Sequence, residues 1–285
     1  VNQQLTLAQL RQQIDELDQQ LLQLFSQRAQ YAQQVAQVKA GHQAQQIAYY
    51  RPQREAQILQ NIMQTNPGPL PAEVVARLFL EVISACRALE QVLHIVFLGD
   101  QGSLAQKALY KHFGHSITSA GMEKVDSLLE AIVCQDAHYG VLPVHCLTDW
   151  LANNELGYFA EGHLQLCGEI QLTADELHKA IAVHYVVVGR EQLTPSGLDK
   201  TSLLISTDNN DKGLLHRILG LFNQQQLNLT HIENRFLAKA EQSRCLFFID
   251  VEGHASDTPL QQVQTELVNG GFHCQVLGAY PKAIL

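Results

Sequence analysis

Long apolar runs are missing from this sequence. None approaches the roughly 18 residues that a membrane-spanning helix needs, and no charged-then-apolar leader opens the chain, so a cytoplasmic protein with no membrane partner is expected. Paired cysteines are missing too. Cys86, Cys134, Cys146, Cys167, Cys245 and Cys274 are scattered singly, with no CxxC spacing and no clustering with histidine, which points to reduced thiols rather than disulfides or zinc. The thirteen histidines show no HExxH-type spacing, so neither a metal nor a cofactor is implied. A basic face is also lacking: the net charge of -9 argues against nucleic-acid binding and leaves only local cationic pockets open. No internal repeat is visible. What remains is a chain of 285 residues, 46% hydrophobic, long enough for two or three domains with a core each.

Three segments follow different patterns. From Leu7 to about Lys39 glycine and proline are absent and glutamine, leucine and alanine dominate, which is helix composition. The break NPGPLP separates two more helical patterns, Pro52 to about Thr65 and Pro71 to about Leu93, each with proline near its first turn. Residues 94–190 turn to α/β: HIVFLGDQGS is a strand running into a glycine turn, a helical stretch follows, and HYGVLPV and VHYVVVGR read as strands. The polar segment 191–199 reads as a linker. Residues 200–285 then alternate as TSLLIST, KGLLHRILGLFNQQ, LNLTHIENRFL, RCLFFIDVEG, PLQQVQTELVNG and HCQVLGAY. That is the βαββαβ order of an α+β ferredoxin-like sandwich, a small antiparallel sheet with two helices on one face.

The first helix has an anomaly. At about 100° per residue, Leu10, Ile14, Leu17, Leu21, Leu24 and Val35 share an arc of about 80°, and Arg28 and Lys39 fall inside it, about 20° apart. Arg11 points about 80 to 100° away. One cation on such a stripe commonly snorkels or pairs with an acid of a neighbouring helix. Two cations, with no acid of this helix on the same arc, favour an anionic ligand between helices, because a charge withdrawn from water needs compensation. On the third helix Val75, Phe79, Val82, Cys86 and Glu90 follow one face, and on the second Glu55 precedes Ile58, Leu59 and Ile62 with Arg54 beside it. These polar residues form either a salt-bridge cluster between helices or the lining of a pocket. A helix of this length spans about 50 Å, whereas a domain of 93 residues should be about 25 to 30 Å across. A second copy is therefore expected to cover the overhang, and Arg11 would reach that copy's pocket.

With these residues in place the chain resembles the bifunctional chorismate mutase/prephenate dehydratases of phenylalanine biosynthesis. The resemblance rests on LRQQIDELDQQLLQLFSQRAQYAQQVAQVKA, YYRPQREAQIL and RLFLEVISACRALEQ, where charged positions agree as well as apolar ones. It implies an all-α intertwined mutase dimer over residues 1–93 with two shared active sites. Arg28 and Arg11 of the partner subunit would hold the two carboxylates of chorismate with Arg54 in support, Lys39 and Glu90 would hydrogen-bond the ether oxygen, and Glu55 would take the ring hydroxyl. Arg51, where aspartate can occur, and Cys86, where serine can, flank the pocket. The chemistry fits, since converting chorismate to prephenate is an intramolecular rearrangement. It needs a flexible dianion folded into its reactive shape and negative charge stabilised on the breaking ether oxygen. Glu90 helps only when protonated, so mutase activity is expected to fall as pH rises and Glu90 ionises.

The middle segment resembles the first lobe of prephenate dehydratase in altered form. The GPxGSYS-like signature has become GDQGSLA, the VPIENS-like run has become Leu142 to Leu147, and VHYVVV replaces the motif that carries the catalytic threonine. Only about 20 residues stand where the family carries a second lobe, so this is a truncated α/β lobe and dehydratase activity is expected to be lost. His145 and His184 are read as structural or exposed rather than as replacement catalysts. Residues 200–285 resemble the ACT domain that closes these enzymes and binds phenylalanine. Gly213 and Leu214 match its first turn, the resemblance implies that Asn228 would lie near the ligand, and Glu233, Asn234 and Arg235 match its ESRP-like signature, with Phe236 in place of proline. Such domains pair, which allows a tetramer; a plain dimerisation module without ligand is the alternative. Two further readings stand beside the mutase: an enzyme retaining both activities, and an amino-acid sensor whose helical part only dimerises.

Overall fold

The computed structural model describes residues 6–41, 50–154, 157–160, 162–174, 182–207, 212–239 and 242–284. Its N-terminal unit is three helices: α1 (Leu7–Gly41), α2 (Pro52–Thr65) and α3 (Ala72–Ala88). With 35 residues, α1 is about 52 Å long. Its leucine stripe is not covered within the chain, where Leu10, Ile14, Leu17, Leu21, Leu24 and Val35 are 43% to 59% exposed. The core of this unit is correspondingly small, formed by Leu59, Ala76, Leu80 and Ile83, with Ile284 from the far end of the chain packed against it.

The third helix stops at Ala88, short of the expected Leu93. The amides of Glu90 and Gln91 both turn back to the Arg87 carbonyl, and Leu93 is drawn into the core of the next unit. The buried face of α3 is Ala76, Leu80, Ile83 and Arg87 rather than the Val75–Phe79–Val82 stripe, because α2 and the lobe lie on that side.

The lobe comprises β1 (His94–Leu98), α4 (Leu104–Phe113), β2 (Thr118–Met122), α5 (Val125–Val133), β3 (Tyr139–Pro143), α6 (Val144–Asn153), β4 (Gln165–Leu172) and β5 (Val183–Gly189). Its sheet runs β2-β1-β3-β5-β4, parallel among the first three strands and antiparallel from β3 to β5 to β4. The sequence reading did not name β2 and β4. β2, TSAGM, is a short edge strand of small residues with no apolar alternation. Val144, read as part of a strand, starts α6 because Pro143 sits at its N-cap position. β4 and β5 pair from Gln165↔Gly189 to Leu172↔Val183, so residues 173–182 alone join them.

The C-terminal unit is β6 (Asp199–Thr207), α7 (Leu214–Gln224), β7 (Leu229–Lys239), β8 (Gln242–Glu252), α8 (Thr258–Asn269) and β9 (His273–Pro281), with an antiparallel sheet in the order β7-β8-β6-β9. Strand residues alternate between faces. Leu203, Ile205, Phe247 and Ile249 pack on Ile218, Phe222, Leu260 and Val263 of the two helices. Leu204, Leu246, Phe248, Leu277 and Tyr280 point the other way and join the core of the lobe. The approach there is close: a Cβ on Gly278 would lie 2.1 Å from the Leu166 carbonyl oxygen.

Candidate active site

Arg28 is half-buried where α1 passes α3, and its Nη1 donates to the Val82 carbonyl at 3.4 Å. Across from it, the Glu55 carboxylate on α2 is 13% exposed and accepts from Arg87 Nη1 on α3 at 2.6 Å. Burial raises the Glu55 carboxyl above the ordinary range, and the charges of Arg87 and then Arg28 pull against that rise. Glu55 is thus in an interhelical ion pair with Arg87, a residue not singled out from the sequence, with Arg28 within electrostatic reach. Cys86 is buried one position before Arg87.

Arg87 escaped the sequence reading. It is 4% exposed, donates through Nη2 to the Phe113 carbonyl of the lobe at 2.8 Å, and stacks its guanidinium 5.1 Å from the Tyr50 ring centroid. A signal was present, because Ala76, Leu80, Ile83 and Arg87 follow helical spacing and place a cation on a second apolar stripe of α3. The Tyr50 hydroxyl bonds His112 Nε2 at 2.7 Å; burial and then Arg87 lower the His112 imidazole to about 4, so it is neutral near pH 7.

Other residues expected at the pocket lie apart from this cluster. Arg11 and Arg54 are exposed on α1 and α2. Lys39 closes the last turns of α1, but its side chain lies outside the described residues. Glu90 sits in the turn after α3 rather than on it, half-buried, since that helix ends early. Arg51, the N-cap residue of α2, opens onto a different cleft of about 870 Å³, lined also by His138, Arg190 and Glu191, on the far side of Tyr50. Burial raises the Glu191 carboxyl, while the hydrogen bond from the Tyr139 hydroxyl at 3.0 Å opposes the rise.

On the lobe, the GDQGS turn follows β1, and Gly99, at φ +118°, donates its amide to the Met122 carbonyl at 2.8 Å. His145 is exposed at the start of α6. His184 on β5 is half-buried with its ring centroid 5.3 Å from that of His231, and burial and then His231 lower its imidazole. In the C-terminal unit Gly213, at φ +83°, begins α7 and Leu214 is buried in the core beneath it. Asn228 and Asn234 are exposed, and the Asn228 carbonyl accepts the Glu252 amide. Glu233 and Arg235 are engaged with the lobe: Glu233 Oε2 accepts from Thr148 Oγ1 at 2.9 Å, and Arg235 pairs with Asp149 of α6. Glu233 also pairs with His231 at 3.2 Å, and each partner favours the other's charged form, His231 shifted up and Glu233 down.

Among the described residues no group of three or more histidine, cysteine or acidic side chains is placed to hold a metal ion, and no helix is long and apolar enough to cross a membrane.

The model of type II chorismate mutases matches residues 10–91, and that of prephenate dehydratases matches residues 95–178. The bifunctional chorismate mutase/prephenate dehydratase of Stutzerimonas stutzeri is 31% identical over 358 aligned positions, covering 97% of this chain and 98% of the relative. Since this chain has only 285 residues, the relative carries a substantial stretch with no counterpart here. Two solved structures share the fold. The prephenate dehydratase of Arthrobacter aurescens in complex with L-Phe superposes with a TM-score of 0.53 at 17% identity, over 66% of this chain and 90% of that one. GqqA, described as a novel type of quorum-quenching acylase, gives 0.54 at 21% identity over 67% of this chain and 95% of that one, so the lobe and sheet by themselves do not fix an activity. The two matched domains and the nearly full-length relative make this chain a member of the bifunctional chorismate mutase/prephenate dehydratase family.

Proposed function

We propose that this enzyme is a homodimeric chorismate mutase, that its lobe no longer dehydrates prephenate, and that its C-terminal unit is an ACT domain responsive to phenylalanine. The domains would be residues 1–93, 94–190 and 200–285, with 191–199 as linker. The observation that carries the reading is Arg28, half-buried on the leucine stripe of α1, bonded to a backbone carbonyl and facing Glu55 across the helices. The uncovered leucines of α1 support a second copy, whose Arg11 would complete the cationic site. Arg28 and Arg11 of the partner subunit would then clamp the two carboxylates of chorismate, with Arg54 in support. Lys39 and Glu90 would meet the ether oxygen as it gains charge. Glu55 Oε1 is taken by Arg87, which leaves Oε2 for the ring hydroxyl. Cys86 flanks the site, whereas Arg51, expected beside it, opens onto the cleft beyond Tyr50.

The direct joining of β4 to β5 supports loss of the dehydratase, since a cleft enzyme lacking one wall cannot exclude water, and Val183 stands where the family's threonine would be. A phenylalanine effector is supported by the βαββαβ unit and the left-handed Gly213 at its first turn, with Leu214, Asn228, Glu233, Asn234 and Arg235 as the residues to probe. The test is loss of chorismate absorbance with the product resolved as prephenate or phenylpyruvate. Prephenate alone supports the proposal. Phenylpyruvate formed at neutral pH faster than by spontaneous decay favours the bifunctional reading, and no chorismate loss at all favours the sensor.

A further inference from the structure

Among the described residues Arg87 is the only lysine or arginine that is buried outright, and its guanidinium fork joins two units. One arm grips the Glu55 carboxylate of α2 at 2.6 Å, the other the Phe113 carbonyl at the end of α4, and the plane lies over Tyr50. Such a fork is geometrically selective in a way that a lysine ammonium is not. The remaining groups around Glu55 do not replace it. Arg28 of α1 acts at longer range, Tyr50 stays a neutral phenol because burial holds its proton, and His112 of α4 is neutral near pH 7. A cavity of about 60 Å³ bounded by Glu55 also meets Lys111, Glu169 and Lys282; Lys111 donates to the Gln171 carbonyl, Glu169 pairs with Lys200, and Lys282 pairs with Glu252.

We propose that Arg87 is a positioning residue for the mutase site, holding the Glu55 carboxylate ionised and in one orientation, and that the lobe serves that site by anchoring Arg87 through the Phe113 carbonyl. The inference rests on the mutase reading. It gives the lobe a task that needs no dehydratase chemistry. Removing one partner of a buried ion pair leaves the other uncompensated, and a buried carboxylate without its cation takes up a proton.

The experiment is the pH profile of kcat/KM for chorismate in the full chain, with folding followed by circular dichroism. Arg87→Met is expected to move the acid limb upward by about one unit or more, a loss of about tenfold at mildly acid pH that is partly recovered at alkaline pH. Arg87→Lys, which keeps the charge without the fork, should restore the limb while kcat stays several-fold low and KM changes little. If Arg87→Met does not fold, the Glu55→Gln/Arg87→Met pair removes both charges, and the acid limb should vanish. A folded Arg87→Met with an unmoved limb, or a limb that survives in the double variant, overturns the proposal alone. A wild-type chain that leaves chorismate untouched overturns the mutase reading and this proposal with it.

Discussion

The helical unit and the rest of the molecule bury their apolar residues very differently. In the lobe and the sheet beyond it, Phe97, Leu109, Leu128, Val187 and Phe248 are fully buried in one continuous core. Among the described residues of the helical unit the core is Leu59, Ala76, Leu80 and Ile83, while the stripe of α1 from Leu10 to Val35 stands about half exposed. The lobe and the sheet pack most of their apolar residues within one chain, although Ile232 and Phe236 on β7 and Val268 on α8 stay exposed. Among the described residues the helices do not, and the stripe left exposed on α1 is the surface that the proposed second copy would cover. Single cations differ in the same way, although Arg87 of the helical unit is paired with Glu55. In the helical unit Arg28 has a backbone carbonyl as its hydrogen-bond acceptor, whereas Lys200 in the C-terminal sheet is closed by Glu169 at 2.6 Å.

The sharpest way to break this comparison is to charge the stripe. Leu17→Lys with Leu21→Lys should convert the proposed dimer to a monomer by sedimentation and cut mutase activity by about a thousandfold or more, since the cation proposed to come from the partner would leave with it. Melting of the lobe should hardly change. Arg28→Ala is expected to lower kcat/KM by about a hundredfold to a thousandfold with the dimer intact, which steady-state kinetics would read. On the other side of the comparison, Phe248→Ala should destabilise the lobe and the C-terminal sheet together by about 3 to 5 kcal/mol. Two separate melting transitions in that variant would mean they do not share a core.

A smaller effect concerns Asp250, buried beneath the same sheet. Its hydroxyl partner Ser202 also meets Tyr280 at 2.8 Å. Burial holds its carboxyl up at about 6, against pulls from Ser202, His231 and Lys200 and a further push from Glu169. A folded value above the unfolded one means that the protonated acid stabilises the fold at low pH, and that this contribution is lost as pH rises through about 6. Asp250→Asn should therefore raise the melting temperature at pH 8, by at most on the order of 3 kcal/mol in stability, and leave it nearly unchanged at pH 4. The smallest effect is expected for Lys282→Ala. Its pair with Glu252 is about one-third exposed on both sides, and such pairs contribute less than about 1 kcal/mol in denaturant titrations.

Local pattern carried much of this molecule. Proline placement marked the starts of α2 and α3, because a missing amide acts on the nearest turn whatever the tertiary context, whereas α1 was legible from composition and apolar periodicity. Alternation gave the βαββαβ order for the same reason. Where the pattern was weak or context overrode it, the reading failed. β2 has no apolar alternation to detect, α3 ends at Ala88 because Leu93 is claimed by the neighbouring core, and Glu90 therefore leaves the helical face assigned to it. Arg87 lay on a legible stripe, but its partners are Glu55 and Phe113, and no sequence spacing links α2, α3 and α4.

By itself the sequence determined the three N-terminal helices, the βαββαβ order of the C-terminal unit, the cation at Arg28 on an apolar stripe, and the short connection between CGEIQL and VHYVVVGR. These follow from periodicity and length, which are properties of neighbours along the chain. Only the tertiary structure decided that Glu55 is paired, that Glu233 and Arg235 lean on α6, and that the sheet hides its second face against the lobe. Those outcomes depend on which surfaces meet, and burial and charge compensation act between surfaces rather than along the sequence.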